Sequence, residues 1–462
     1  MRNVSSRITP TERSRRDFLQ RSLGALGSAS LAMTLQMYLG RTALGQSPTS
    51  PGYGPLRPAK DETTGLELLK LPEGFRYVSY GWAGDAMTGG VVTPGGHDGM
   101  AVIATSGSTV TLCRNHELET WDKPFGSDAL RYDENAGGGC SNLVFDTAAG
   151  RWSESWPSLA GTVRNCAGGS TPWNTWLSCE ETTLGPGDKA LKQTHGWVFE
   201  VAAKEGRPVP LKAMGRLRHE AVAVDPATGY VYETEDNEPK AGFYRFVPQE
   251  ASRLSAGGEL YMLKVAGATD LRSGSGIGQV YAVSWVPIEE PERAHRDLAK
   301  ADSQGVFSQG EAQGGAAFAR LEGCWYGNGL IYINSTSGGA LGLGQVWQYD
   351  PKNEQLKLIF ESPSKDVLYR PDNIAVSPRG GLVLCEDGDV VPQRLMGMTA
   401  DGRIFAFAEN NIVLNGERNG LQGDHRKEEW CGATFSGEWL FVNNQTPGIT
   451  FAITGPWAQG VL

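Results

Sequence analysis

Six times along this chain a polar residue opens an apolar strand, which runs through a Gly-rich turn into a second apolar strand. The stretches are HDGMAVIATSGSTVTLCRNHE (His97–Glu117), NCAGGSTPWNTWLSCEE (Asn165–Glu181), HEAVAVDPATGYVYETEDN (His219–Asn237), RLEGCWYGNGLIYINST (Arg320–Thr336), RPDNIAVSPRGGLVLCEDGD (Arg370–Asp389) and EWCGATFSGEWLFVNNQ (Glu429–Gln445). Strand pairs recurring at roughly blade length mark a β-propeller, because one such unit cannot bury both of its faces alone. The expected fold is therefore all-β, a six-bladed β-propeller. If the first strand of each pair lines the channel, Asp98, Cys166, Glu220, Glu322, Asp372 and Cys431 form one ring at its mouth.

The composition agrees with many short strands and tight turns. Sixty-one Gly and 25 Pro are too many for a helical protein, while 13 Trp and 14 Tyr suit sheet faces. At 462 residues one propeller can account for the chain, and a formal charge of −10 argues against a nucleic-acid partner. Residues 1–45 read as a twin-arginine signal peptide. Ser14-Arg15-Arg16-Asp17-Phe18-Leu19 precedes a weakly apolar run, Ser22–Leu39, too short and Gly-broken for a stable membrane span. Cleavage near Ala43-Leu44-Gly45 would send the mature chain through the twin-arginine export machinery to the periplasm or medium. Residues 46–65 are expected to be a flexible tether, and 66–462 the propeller. A charged segment, EEPERAHRDLAKADSQG (289–305), is the best helix candidate and is expected to fold over the channel mouth.

Three ring carboxylates, Glu220, Glu322 and Asp372, open strands in three separate repeats, so the repeat itself makes them converge as a cation site requires. A second acidic set closes the strand pairs: Asn115-His116-Glu117, Glu180-Glu181, Glu235-Asp236-Asn237 and Glu386-Asp387. Adjacent acids repel unless screened, which suggests calcium, with His116 a hydrogen-bonding spacer. Cys113, Cys179, Cys324 and Cys385 sit in apolar strand patterns as small hydrophobes, whereas Cys166 stands in a polar loop-like setting. A soft thiolate beside carboxylates suits a transition metal. Arg164, Arg218, Arg320 and Arg370 precede ring positions. Arginines are not needed to bind metal, but they suit an anionic substrate, phosphate above all. No Ser/His/Asp set stands out and no G-x-G-x-x-G opens a helix after a strand.

The run GTVRNCAGGSTPWNTWLSCEET (Gly161–Thr182), with RNHE at Arg114–Glu117, RLEG at Arg320–Gly323 and RPDN at Arg370–Asn373, resembles the PhoX family of bacterial alkaline phosphatases, over roughly Pro72 to Pro456. The resemblance implies a six-bladed propeller that hydrolyses small phosphate monoesters at a site combining Fe(3+) and Ca(2+). It makes Cys166, Glu220, Glu322 and Asp372 iron ligands, and Asn115, Glu117, Glu181 and Glu235 calcium ligands. Arg320, Glu322 and Cys166 would be catalytic, with Arg320 and Arg164 on the substrate. Two other readings stay open on the residues alone: a calcium propeller acting on sugars or lactones, and a non-enzymatic calcium-binding envelope protein.

Overall fold

The computed structural model describes residues 52–204, 206–274, 276–294 and 305–462. The twin-arginine segment lies outside the described residues. Among the described residues no helix is long and apolar enough to cross a membrane.

The molecule is an all-β propeller. Six inner strands, His97–Ser106, Asn165–Ser170, His219–Val224, Leu321–Gly327, Pro371–Val376 and Trp430–Ser436, line up in chain order, each beside the next, and the sixth returns to the first. Each leads outward into an antiparallel meander. The turns are as tight as the Gly content demands. Gly327 pairs with Leu330 across Asn328 and Gly329, which take φ of 54° and 82°, the two left-handed residues that a type I′ hairpin needs. The third and fourth meanders join edge to edge through Val280–Ile288 and Gln355–Glu361, giving a nine-stranded sheet. The excess length of the third repeat supplies the strands Gly258–Val265 and Val280–Ile288 of that sheet.

The chain closes the ring with its own N-terminal part. Arg76–Tyr80 is the outer strand of the sheet built from Trp430–Ser436, Trp439–Asn444 and Ile449–Thr454. Residues 52–65, expected to be flexible, are instead fastened down. Arg57–Ala59 pairs with Leu69–Leu71 on the edge of the fifth sheet. Tyr53 is buried, its hydroxyl donating towards the carbonyls of Trp457 (3.1 Å) and Leu462 (3.0 Å). Apolar side chains in this Pro-rich stretch outweigh its linker-like composition, because a pocket of Phe75, Phe405, Phe407 and Trp457 rings accepts Tyr53.

The core lies between neighbouring sheets. Trp176 of the second packs against Ala101, Ile103 and Cys113 of the first, and Cys179 sits with Val222 and Phe246. Among the described residues the α-helix is Val306–Ala312, in a Gln- and Gly-rich stretch just after the expected position. It packs on the outer strands Gly258–Val265 and Val280–Ile288 through Val306, Phe307 and Gly310. Of the segment read as helical, Glu289–Ala294 forms bends and turns, and residues 295–304 lie outside the described residues.

Candidate metal centre

Each inner strand slips out of register close to its opening residue. The breaks fall between His97 and Met100, Asn165 and Gly168, His219 and Val222, Leu321 and Cys324, Pro371 and Ile374, and Cys431 and Thr434. A bulge re-aims the side chain at the break. In the first five, the ring residue is the first of the two released from pairing: Asp98, Cys166, Glu220, Glu322 and Asp372. In the sixth the bulge comes later, so Cys431 stays paired with Asn443 and its buried thiol donates to the His97 carbonyl at 2.9 Å. Cys431 is therefore not a channel-lining ring member. Glu429, two residues earlier, enters instead.

A second regularity fixes the rim. In all six repeats, the residue just past the second strand donates its backbone N–H to the carbonyl two positions before the ring residue. The pairs are Glu117 to Gly96, Glu181 to Arg164, Asp236 to Arg218, Thr336 to Arg320, Asp387 to Arg370 and Gln445 to Glu429. The same link holds Arg164, Arg320 and Arg370 in left-handed backbone, φ 52°, 45° and 49°, a strain of about 1–3 kcal/mol each. It aims their side chains over the mouth.

These two layers enclose a cavity of about 470 Å³ lined by nine carboxylates, four arginines, Cys166 and Gln445. The structure brings Cys166, Glu220, Glu322, Asp372, Glu117, Glu181, Arg164 and Arg320 to it, as the sequence reading proposed. Asn115 and Glu235 are not there. Asn115 Nδ2 donates to the carbonyls of Cys166 (3.1 Å) and Ala167 (2.7 Å). Its Oδ1 accepts from the Trp176 indole (2.9 Å), the Ser178 hydroxyl (2.9 Å) and the Cys140 thiol (3.1 Å). No lone pair is left for a cation. Glu235 Oε2 accepts from the Gly242 N–H (3.0 Å) and the Tyr244 hydroxyl (2.8 Å), away from the cavity. The residue that reaches the mouth is Asp236, the next along, as Asp387 does after Glu386.

The end of the second strand thus divides its labour by position. In four repeats the residue two before the one just past the strand stitches to the next inner strand: Asn115 to Cys166, Thr234 to Glu322, Asn334 to Asp372 and Asn443 to Asp98, all side chain to carbonyl. The residue between is buried and caps local backbone, as His116, Glu180 and Glu386 do. The residue just past the strand faces the cavity in five repeats, as Glu117, Glu181, Asp236, Asp387 and Gln445. Asp236, Asp387, Glu429, Glu238 and Gln445 were missed in the assignment of ligands; the position just past the second strand was the signal for three of them.

The electrostatics call for cations. Asp98 Oδ1, Glu220 Oε1 and Glu322 Oε2 are buried without a hydrogen-bond partner, an arrangement that costs several kcal/mol for an ionised oxygen. Burial first, and neighbouring carboxylates second, push Asp98, Glu220 and Glu322 well above the usual carboxylate range. The same causes raise Glu181 to about 8, and burial raises Asp372 to about 6. The Cys166 thiol is pushed up by burial and by Asp98 and Glu220, with Sγ donating towards Asp98 Oδ2 at 3.7 Å. Donor atoms fall within 4.8 Å of one another in four sets: Asp98–Glu117–Cys166, Asp98–Glu429–Cys431, Cys166–Glu181–Glu220 and Asp372–Asp387–Glu429. Orphaned buried oxygens, clustered acids and a thiol fit bound cations, which would draw these groups back to their charged forms.

Three of the four arginines are already spoken for. Arg164 pairs with Glu181 (2.7 Å), Glu117 (3.3 Å) and Glu119 (3.6 Å). Arg218 bridges Glu181 and Asp236, and Arg320 bridges Asp236 (2.9 Å) and Glu322. Burial works against the Arg320 charge, but Glu322 and Asp236 more than offset it.

Fold and site together define a β-propeller with an acidic, arginine-rimmed cavity of metal-binding character at one channel mouth. The family model described as Alkaline phosphatase PhoX matches residues 51–448, and the chain belongs to that family. Membership makes it one of a metal-dependent class of phosphatases. Among curated proteins no relative matches. Solved structures similar to it include a gluconolactonase from Xanthomonas campestris, 13% identical with TM-score 0.39, covering 87% of this chain and 98% of that one. Another is a catalytically inactive virginiamycin B lyase from Staphylococcus aureus with quinupristin, 10% identical with TM-score 0.38, covering 82% and 99%. A third is a PQQ-bound aldose sugar dehydrogenase from Streptomyces coelicolor, 13% identical with TM-score 0.33, covering 88% and 95%.

Proposed function

We propose that the chain is an exported alkaline phosphatase that hydrolyses small phosphate monoesters with Fe(3+) and Ca(2+) in the propeller mouth. The observation that carries this reading is one cavity holding a buried thiol, orphaned carboxylate oxygens and a rim of arginines. Calcium alone leaves the Cys166 thiol without a role; a phosphoryl dianion beside a thiolate-bound transition metal uses it together with the arginine rim. In this reading Cys166, Glu220, Glu322 and Asp372 hold iron, while Glu117, Glu181, Asp236 and Asp387 hold calcium. Such ions supply Lewis-acid polarisation of the phosphoryl oxygens and an activated nucleophile.

The chain's own groups do the rest. Arg320 and Arg164, now paired with Glu322 and Asp236 and with Glu181 and Glu117, would receive the phosphoryl oxygens once those carboxylates held cations, which favours the charge that develops in the transition state. The left-handed backbone beneath both arginines directs their side chains over the mouth. Export by the twin-arginine route, placing the protein in the periplasm or outside the cell, rests on Arg15-Arg16 and the apolar run behind them. That route carries folded proteins, as a chain loaded with iron before export would need.

The test is metal analysis of protein purified from the periplasm without added ions, followed by turnover of p-nitrophenyl phosphate at alkaline pH. Iron and calcium together, with hydrolysis that Cys166→Ala and Glu322→Ala both reduce, are expected. Calcium without iron, and turnover of lactones but not phosphates, would replace this reading with a lactonase.

A further inference from the structure

We infer that Arg370 is a phosphate-recognition residue of this site, left available by the neutral Thr336 in the neighbouring repeat. This role for Arg370 rests on the phosphatase reading and goes beyond it by choosing among the four arginines of the rim.

The four occupy the same place, two residues before a ring position, with their carbonyls held by the same backbone link. Two of them also pair with the closing acid of their own repeat, Arg164 with Glu181 and Arg218 with Asp236, but one ion pair recurs in all three engaged arginines. Each guanidinium reaches the closing residue of the preceding repeat: Arg164 to Glu117, Arg218 to Glu181, and Arg320 to Asp236. By that rule Arg370 faces the residue closing the fourth repeat, and there the chain carries Thr336. Thr336 is buried and turns its hydroxyl to the Pro371 carbonyl at 2.7 Å. The acid of Arg370's own repeat, Asp387, is grouped with Asp372 and Glu429 instead.

The consequence is visible at the side chain. Among the described residues Arg370 makes no ion pair, although it lines a cavity with nine carboxylates. Its guanidinium lies over the Tyr369 ring, 5.5 Å from the centroid, and its Nε is buried with no hydrogen-bond partner. A buried guanidinium N–H without an acceptor is costly, and the group's planar fork matches two phosphoryl oxygens. Arg320 is engaged by Asp236 and Glu322 and would be freed only where those carboxylates held cations. Arg370 needs no such release, so it presents a fixed anion receptor to the phosphoryl group before and after loading.

The experiment compares the loaded wild-type enzyme with Arg370→Met and Arg370→Lys. Three quantities are read: the inhibition constant of inorganic phosphate, KM and kcat for p-nitrophenyl phosphate, and iron and calcium content. For Arg370→Met, loss of a charge-assisted bidentate contact should raise the phosphate inhibition constant and KM about 10- to 100-fold. kcat should change less and metal content should match wild type, since the lost interaction is made with bound substrate. Lys should recover part of the binding, as a point charge without the fork. Unchanged phosphate inhibition in Arg370→Met overturns the assignment while leaving the phosphatase reading intact. So does loss of iron or calcium in that variant, which would make Arg370 a support for the metal site. A wild-type protein that neither turns over phosphate esters nor binds inorganic phosphate overturns both.

Discussion

At the scale of single residues the chemistry divides between groups that face the cavity and groups that hold them there. Cys166 belongs to the first kind: a bulge releases it, and its thiol meets Asp98, Glu181 and Glu220. Iron bound through its thiolate should give a visible charge-transfer band, because sulfur donates electron density readily. Cys166→Ser is expected to bleach that band and lower iron content, with calcium at Glu117, Glu181 and Asp387 largely retained. A Ser variant that keeps both colour and iron would make Cys166 a mere packing residue. Asn115 is of the second kind, with five hydrogen bonds that tie the first two repeats together. Asn115→Ala should cost about 2–4 kcal/mol of stability in denaturant unfolding, since the groups left behind are buried donors and acceptors. Lost calcium with undiminished stability would instead restore the ligand role the sequence suggested. That difference was hard to read from sequence. Asn115 and Glu117 are two residues apart in the same alternation, and what separates them is that the strand ends between them, at His116.

At the scale of elements the repeat was legible and its phase was not. The alternation of polar openings, apolar strands and Gly turns located all six inner strands, because burial on both faces leaves few polar positions inside a blade. Which residue of each opening enters the channel depends on the bulge, and a bulge that comes later removed Cys431 from the ring and admitted Glu429. The tether expected over 46–65 is overturned in its described part, 52–65, for a related reason: composition marks this stretch as loose, but one buried Tyr anchors it. The middle members of the closing runs also shape stability. Glu180 and Asp133 hold buried His195 between them, at 2.6 and 3.5 Å. Burial opposes the imidazolium, but the two acids outweigh it and raise His195 to about 9. A pKa raised on folding stabilises below the unfolded value near 6.5 and ceases to do so as pH climbs through 9. Wild type should therefore lose, relative to His195→Gln, on the order of 3 kcal/mol between pH 6.5 and 9.5. Parallel pH profiles for the two proteins in urea unfolding would remove the His195 charge from the account.

At the scale of the whole molecule the fold gathers negative charge that it cannot neutralise by itself. Closure of the ring, with Arg76–Tyr80 completing the last sheet, forces six repeats to present their polar ends at one mouth. There nine carboxylates meet four arginines, and several oxygens are left without partners. Cations should therefore be part of the folded state's stability as well as its chemistry. Stripping them with a strong chelator is expected to lower the melting temperature by about 5 °C or more, and the loss should depend on pH. The sign follows from the raised carboxyls. A group whose pKa is lifted on folding favours the fold while it stays protonated, and that advantage goes as pH rises through about 6 for Asp372 and about 8 for Glu181. The stripped protein should thus melt higher at pH 5.5 than at pH 8.5. Adding calcium and iron back should restore the alkaline value most, since bound cations favour the charged carboxylates that bare burial opposes. A melting temperature indifferent to chelation across that range would mean the acids are satisfied without metal, and the cavity would then be a surface feature of the propeller rather than its centre of chemistry.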